Sequence, residues 1–332
     1  MKSTPGDPLG SGRQCHADIG GGSISLSYST KGTTIALSKA YIAEWQAWHD
    51  DRIKDLNRPY GFLSVVSQDW LTEGEPFTSE FVPGQWLLKD GEITYHPDPR
   101  STAKGEFLTV DGKEAAGPTH IPHGYNKNSG TGSGVCMFYK DLEVETITRV
   151  NSRGETIYAV RVRDPQEAAR KRFDDIRTFP LSEEWIVPAG FVSMETGLHN
   201  VPTVDDSVYE ASFTLGTIEL TLKGQAFALE VSGHRAGSQD TGYFSNYCYV
   251  HFGDKTNGKE TYGGGRIIKF RDLDELRNIT QLDFNRAVSF PCALSTFVAC
   301  PATPAGSRFP FRVTAGEYTP PVPHERISTY KG

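Results

Sequence analysis

Trp86-Leu87-Leu88-Lys89-Asp90-Gly91-Glu92-Ile93-Thr94-Tyr95 decides the fold class: two short apolar runs hinged on Asp-Gly. Asp-Gly accepts the positive φ that a two-residue turn demands, so the segment predicts a β-hairpin. The rhythm recurs outward. Phe107–Val110 runs into Asp111-Gly112, and Leu142–Val150 and Thr156–Val162 flank Asn151-Ser152-Arg153-Gly154. Further along, strands are predicted over Glu210–Leu215, Ile218–Leu222 (closed by Lys223-Gly224), Ala226–Val231, Tyr247–Phe252, Arg266–Phe270, Thr280–Phe284 and Phe309–Thr314. Short strands at this spacing, with no helix between them, predict a mainly β (α+β minor) chain. The expected architecture is two antiparallel β-sandwich or barrel domains with an N-terminal packing helix.

That helix starts at Ser38, a good N-cap. Tyr41, Trp45, Trp48 and Arg52 fall on one face of a 3.6-residue repeat, Ile42 and Ile53 widen the stripe, and Asn57-Arg58-Pro59 ends it. A short helix or tight loop is expected over Ser64–Glu73, and a capped helix from Asp164-Pro165 to Arg172. The organisation expected is a flexible leader over 1–37, in which Ile24, Leu26, Ile35 and Leu37 form at most a weak edge strand, a helix-plus-β domain over 38–178, a β barrel or sandwich over 179–320, and a tail over 321–332. Phe179-Pro180 marks the boundary.

The chain has 332 residues, 37% of them hydrophobic, enough to build packed cores. Its formal charge is −7, and its longest basic run is Arg170-Lys171-Arg172, which argues against nucleic acid as a partner. No apolar stretch is long enough to span a bilayer, and the N-terminus carries no apolar signal segment, so a cytoplasmic protein without membrane partners is expected. A homo-oligomer is compatible with these features. Five cysteines without a Cys-x-x-Cys pair indicate neither a disulfide framework nor a cysteine-rich zinc site.

Chemistry concentrates between Gly253 and Glu317, where ionisable residues sit among glycines, the pattern by which backbone and charge approach a small ligand. Asp254, Thr256 and Asn257 read as an Asx-type turn leading through Tyr262 to Gly263-Gly264-Gly265-Arg266. The glycine amides and the Arg266 fork suit an anion; alternatively, Arg266 pairs with Asp254 or Asp283 as scaffold. Asp283 is a candidate acid or base, and Asn285 a candidate to orient a carbonyl, unless the two only cap the next turn. Cys292 is the candidate nucleophile, with Cys300 near it in sequence and Arg266, Arg286 or His251 as activating groups; buried inert thiols are the competing reading. Glu317 closes the pocket or pairs with Arg266. Metal ligation by the cysteines with His251 or His234 matches no strong template, and His120-x-x-His123 reads as solvated loop histidines, so no metal site is assigned.

Phe252–Arg266, Asp283–Ala287, Pro291-Cys292, Cys300-Pro301 and Ala315-Gly316-Glu317 together resemble an uncharacterised bacterial family of unknown function, numbered 1684. Arg58-Pro59-Tyr60-Gly61-Phe62-Leu63 and Trp70-Leu71 with Glu73-Gly74 extend the resemblance, which covers roughly residues 40 to 318. It implies a location for the site but no activity and no cofactor. The expected function is binding of a small anionic or polar ligand in the C-terminal β domain by Asp254, Thr256, Tyr262, Gly264, Arg266, Asn285 and Glu317. Hydrolase or transferase chemistry at Asp283 and Cys292 is an extension of that expectation. Two alternatives stand beside it: a protein-interaction module with a forkhead-associated-like N-terminal sandwich, and a flavin- or cofactor-binding split barrel.

Overall fold

The computed structural model describes residues 37–123, 135–167, 173–194, 196–197, 199–205, 207–233 and 248–322. The expected leader with its edge strand, most of the helix expected up to Arg172, His234 and most of the tail lie outside them. Helix α1 (Lys39–Leu56) begins as expected, with the Ser38 side chain accepting the Tyr41 amide. Its buried line is Trp45, His49, Arg52 and Leu56, one step round from the predicted stripe, while Ile42 is 45% exposed. The polar ends of that line decide the rotation. Trp45 Nε1 donates to the Asn285 carbonyl (2.9 Å), and Arg52 Nη2 to that of Ser289 (3.2 Å).

A single 3₁₀ turn, Phe62–Ser64, leads into β1 (Val65–Trp70). This strand replaces the short helix or loop expected at Ser64–Glu73. Its β-branched start and paired edge outweigh the local ambiguity, for it runs antiparallel to β10 (Thr156–Arg163). Between them in the chain come β2 (Pro76–Phe77), β3 (Gly84–Lys89), β4 (Glu92–Pro97), the short helix α2 (Pro99–Thr102), β5 (Leu108–Val110), β6 (Lys113–Glu114), β7 (Thr119–Ile121), β8 (Met137–Tyr139) and β9 (Leu142–Asn151). The β3–β4 hairpin turns at Asp90 and Gly91 with φ of 53° and 77°, the left-handed pair predicted from Asp-Gly. Strands β2, β3, β4 and β7 form a small sheet. Trp86, Ile93, Tyr95 and Ile121 from it pack against Val144, Val160 and Val162 of β9 and β10.

Beyond Trp185 follow β11 (Ile186–Ser193), β12 (His199–Pro202), β13 (Val208–Leu222), β14 (Gln225–Gly233), β15 (Cys248–Phe252), β16 (Arg266–Phe270), the short helix α3 (Leu273–Arg277), β17 (Gln281–Asp283) and β18 (Val288–Ser289). The two strands predicted over Glu210–Leu222 are one, with an irregularity in pairing beside Gly216. β13 is long enough to pair with β9 at its start and with β11 and β14 further on, so one sheet runs through both halves of the chain. The architecture is mainly antiparallel and sandwich-like rather than a closed barrel. Phe309–Thr314 is not a strand. Its Phe309 and Phe311 rings stack on each other and meet Phe227 edge-on, and the carbonyl of Val313 is taken by a side chain, leaving no regular ladder.

Candidate functional site

The loop from Asp254 to Arg266 folds as a clasp around the arginine. Asp254 Oδ1 accepts the Thr256 amide (2.7 Å) and the Val313 amide (3.2 Å), while Oδ2 accepts Arg266 Nη2 (2.6 Å). Arg266 is 0% exposed and also donates to the carbonyls of Val313 (2.9 Å) and Ala315. Its guanidinium lies over the Phe252 ring at 5.2 Å. Burial lowers its pKa, and Asp254 opposes that shift. Thr256 and Asn257 bond to Thr261, and Tyr262 packs half-buried near Phe290. Of the three glycines only Gly265 has positive φ (86°), and the Gly264 carbonyl accepts His251 Nε2 at 2.7 Å. The terminal nitrogens of the fork assigned to an incoming anion are thus taken by the protein's own Asp254 and two backbone carbonyls, the scaffold alternative, while Arg266 Nε has no acceptor among the described residues.

Asp283 and Asn285 form a second, separate group. Asp283 caps the turn through the Asn285 amide (3.0 Å), and its Oδ2 accepts the Tyr41 hydroxyl (2.7 Å). Asn285 accepts the Ser182 amide (3.2 Å) and donates to the Ser182 carbonyl (3.0 Å) and to the Tyr41 hydroxyl (3.2 Å), which ties α1 to the segment entering β11. Burial, then Asp283, raises the Tyr41 pKa. Glu317 belongs to a third group. It accepts Arg52 Nε (3.1 Å) and the Ser289 amide (2.6 Å), so Arg52, not Arg266, is its ion-pair partner. His120 and His123 reach Glu92 (2.6 Å) and the Gly91 carbonyl (3.0 Å). Among the described residues no three His, Cys, Asp or Glu side chains gather as metal ligands.

Cys292 and Cys300 are buried, adjacent and not joined by a disulfide, the Cys292 amide donating to the Cys300 sulfur at 3.3 Å. Burial first, then Cys292, raises the Cys300 pKa well above the ordinary thiol value, which suppresses the thiolate. Glu210 adds to that rise, and it acts likewise on Tyr249, whose phenol burial holds neutral.

Glu210 leads to the feature that the sequence reading missed. Glu143 and Glu145 alternate along β9, Arg161 and Arg163 along β10, and antiparallel register sets Arg161 opposite Glu145 and Arg163 opposite Glu143. Arg161 Nη1 meets Glu145 at 2.8 Å and its other nitrogens meet Gln68 of β1 at 3.0 and 2.6 Å. Arg163 meets Glu143 at 3.1 Å and Glu145 at 2.7 Å, and lies over the Phe62 ring at 5.7 Å. Arg149 continues the row to Glu210 at 3.8 Å. Burial pulls the Arg161 pKa down to about 10 and raises that of Glu143. The row is balanced in charge and ends at Tyr249 and the thiols. Such pairs stabilise a fold no better than well-packed apolar side chains of equal volume, so their extent here asks for another reason. The signal was present in sequence as Glu-x-Glu and Arg-x-Arg on paired strands, where alternation ordinarily means a solvated face.

Fold and site together define a sandwich-like antiparallel β protein with a charged interior. Residues 171–318 match a family described as "Protein of unknown function (DUF1684)", so the resemblance to the family numbered 1684 holds over that stretch. The N-terminal part of the resemblance lies outside the match. Among solved structures, an uncharacterized protein of Haloarcula marismortui, determined by solution NMR, is 28% identical with a TM-score of 0.35, over 47% of this chain and 80% of that one. Comparison with curated proteins gives no match. Among the described residues no helix is long and apolar enough to cross a membrane.

Proposed function

We propose that the protein binds a small anionic or polar ligand, and that the ligand is met by the interior charge row of β1, β9, β10 and β13 rather than by Arg266. The observation that carries this reading is Arg163. The residue is 1% exposed, two of its nitrogens are held by Glu143 and Glu145, and its Nε has no acceptor among the described residues. A buried donor left without an acceptor costs about 1–3 kcal/mol, a cost that a ligand oxygen would remove. Binding is favoured over acid–base chemistry at Asp283, because that carboxylate is committed to Tyr41 and Asn285, and over a thiol pair in which Cys300 would activate Cys292, because the Cys300 thiol is held neutral.

The test is native mass spectrometry of the purified full chain, followed by thermal unfolding with phosphate, sulfate, citrate and acetate as probes. At least one probe is expected to raise the melting temperature by a few degrees, as binding to the native state alone requires. Arg163→Lys keeps the charge but not the fork, and should weaken that probe about tenfold while leaving a cooperative unfolding transition. Equal stabilisation of the variant, or no response to any probe with no bound mass, would overturn the reading.

A further inference from the structure

Cys292 and Cys300 lie eight positions apart and close one loop. Cys292 sits in the 3₁₀ turn Pro291–Ala293 that follows β18, and Cys300 enters the segment Cys300-Pro301-Ala302. Both pack among Tyr249, Ile267, Phe290 and Val298. The Cys292 amide donates to the Cys300 sulfur at 3.3 Å, and the two thiols share a hydrogen bond. That contact puts the pair within reach of an S–S bond of about 2 Å by side-chain rotation. Both ends of the loop are anchored in the fold. The Cys300 carbonyl accepts the Val204 amide (2.8 Å), the Ala302 amide donates to the Pro202 carbonyl (2.8 Å), and Pro301 bridges to Thr203, so this end is fixed to the β12–β13 turn. At the other end β18 is paired with β16, and the Ala293 amide returns to the Phe290 carbonyl (2.9 Å). A bond between the sulfurs would fasten the β12–β13 turn to the end of β18.

We propose that Cys292 and Cys300 are a reversible redox pair, which a small-molecule disulfide of the glutathione class oxidises to an intramolecular disulfide that staples the β12–β13 turn to β18. One protein thiol, as thiolate, attacks a sulfur of the small disulfide. That S–S bond breaks, one small thiol leaves, and a mixed disulfide remains. The second protein thiol then displaces the other small thiol and closes the protein S–S bond. The pair gives up two electrons and two protons, and both leave on the two small thiols. Cys292, at 7% exposure against 1% for Cys300, is the end that the oxidant reaches first. Burial, then Cys292, raises the Cys300 pKa, so exchange near neutral pH is slow. Closing the loop removes freedom from the unfolded chain, while the anchored segments of the fold have little left to lose. This proposal is independent of the anion reading, which rests on Arg163.

The experiment equilibrates the full chain at pH 8 in mixtures of reduced and oxidised glutathione, approached from both sides, with and without unfolding urea. Acid quench, alkylation of the remaining thiols and trypsin follow. Cleavage after Arg286 and Arg308 leaves both cysteines on one peptide, residues 287–308, so the bridge reads as the loss of two hydrogens with neither sulfur alkylated. A bridge that the fold accommodates must form more readily in the folded chain than in the unfolded one. At a fixed glutathione mixture the ratio of bridged to dithiol peptide is expected to be about tenfold higher without urea. A ratio less than about threefold higher overturns the proposal, and marks the thiols as merely buried. The wild-type chain should also melt a few degrees higher in oxidised than in reduced glutathione, a difference that Cys300→Ser should lose. Absence of that shift in the wild type, or its persistence in Cys300→Ser, overturns the proposal as well.

Discussion

Replacing Arg266 by methionine separates a scaffold arginine from a ligand-binding one. The substitution removes the bonds from Arg266 to Asp254 (2.6 Å), to the Val313 carbonyl (2.9 Å) and to the Ala315 carbonyl. It leaves the Asp254 carboxylate, 0% exposed, facing only the Thr256 and Val313 amides. Methionine retains much of the packing against Phe252, so the loss is mainly electrostatic. Removing one partner of a buried ion pair costs about 3–5 kcal/mol, because the remaining charge keeps its desolvation penalty. In Arg266→Met/Asp254→Asn that charge is gone while the amide oxygen can still accept both N–H groups. The double variant should therefore recover about 1–3 kcal/mol relative to additivity. Urea unfolding at pH 7, followed by tryptophan fluorescence, reads both values from the midpoint at constant m. A single-variant cost under about 1 kcal/mol, or strict additivity, would refute the clasp. Full stability with lost ligand binding would return Arg266 to the role read from the sequence.

Two further outcomes follow from the same corner. Burial lowers the His251 pKa to about 3, so the imidazole is neutral in the fold while the unfolded chain takes up a proton near pH 6.5. Stability from this group is complete above pH 6.5 and falls as pH drops toward 3, by about 4 kcal/mol in all. Acid titration of His251→Gln should show a shallower decline between pH 6 and 4, and an unchanged slope would refute the assignment. At Gly265, where φ is 86°, an added Cβ would lie 2.6 Å from the Phe252 carbonyl oxygen and 2.8 Å from His251 Nε2. Gly265→Ala is expected to cost about 2 kcal/mol or more in thermal unfolding, and a neutral result would show that this corner yields.

How much was legible in the sequence follows how local the physics was. The Asp90-Gly91 and Asp111-Gly112 turns fix their hairpins through left-handed backbone alone, and Ser38 caps α1 through its own first turn. Asp283 capping the Asn285 amide is local too, and was foreseen as one of two roles. The Asp254–Arg266 cluster was found as a group because its members lie close in the chain. Its function as a clasp was open until the carbonyls of Val313 and Ala315 arrived from almost fifty residues away.

From its own residues the chain determined a mainly antiparallel β fold, a leading amphipathic helix and the neighbourhood of the densest polar cluster, since turn chemistry and side-chain period act over a few residues. Only the tertiary structure decided which of those charges are spent on one another. Burial of Glu143, Glu145, Arg161 and Arg163 depends on what covers the second face of β9 and β10. A two-residue alternation reads the same whether that face meets water or the Phe62 ring. The proximity of Arg52 to Glu317 likewise comes from packing between distant segments, which no local propensity encodes.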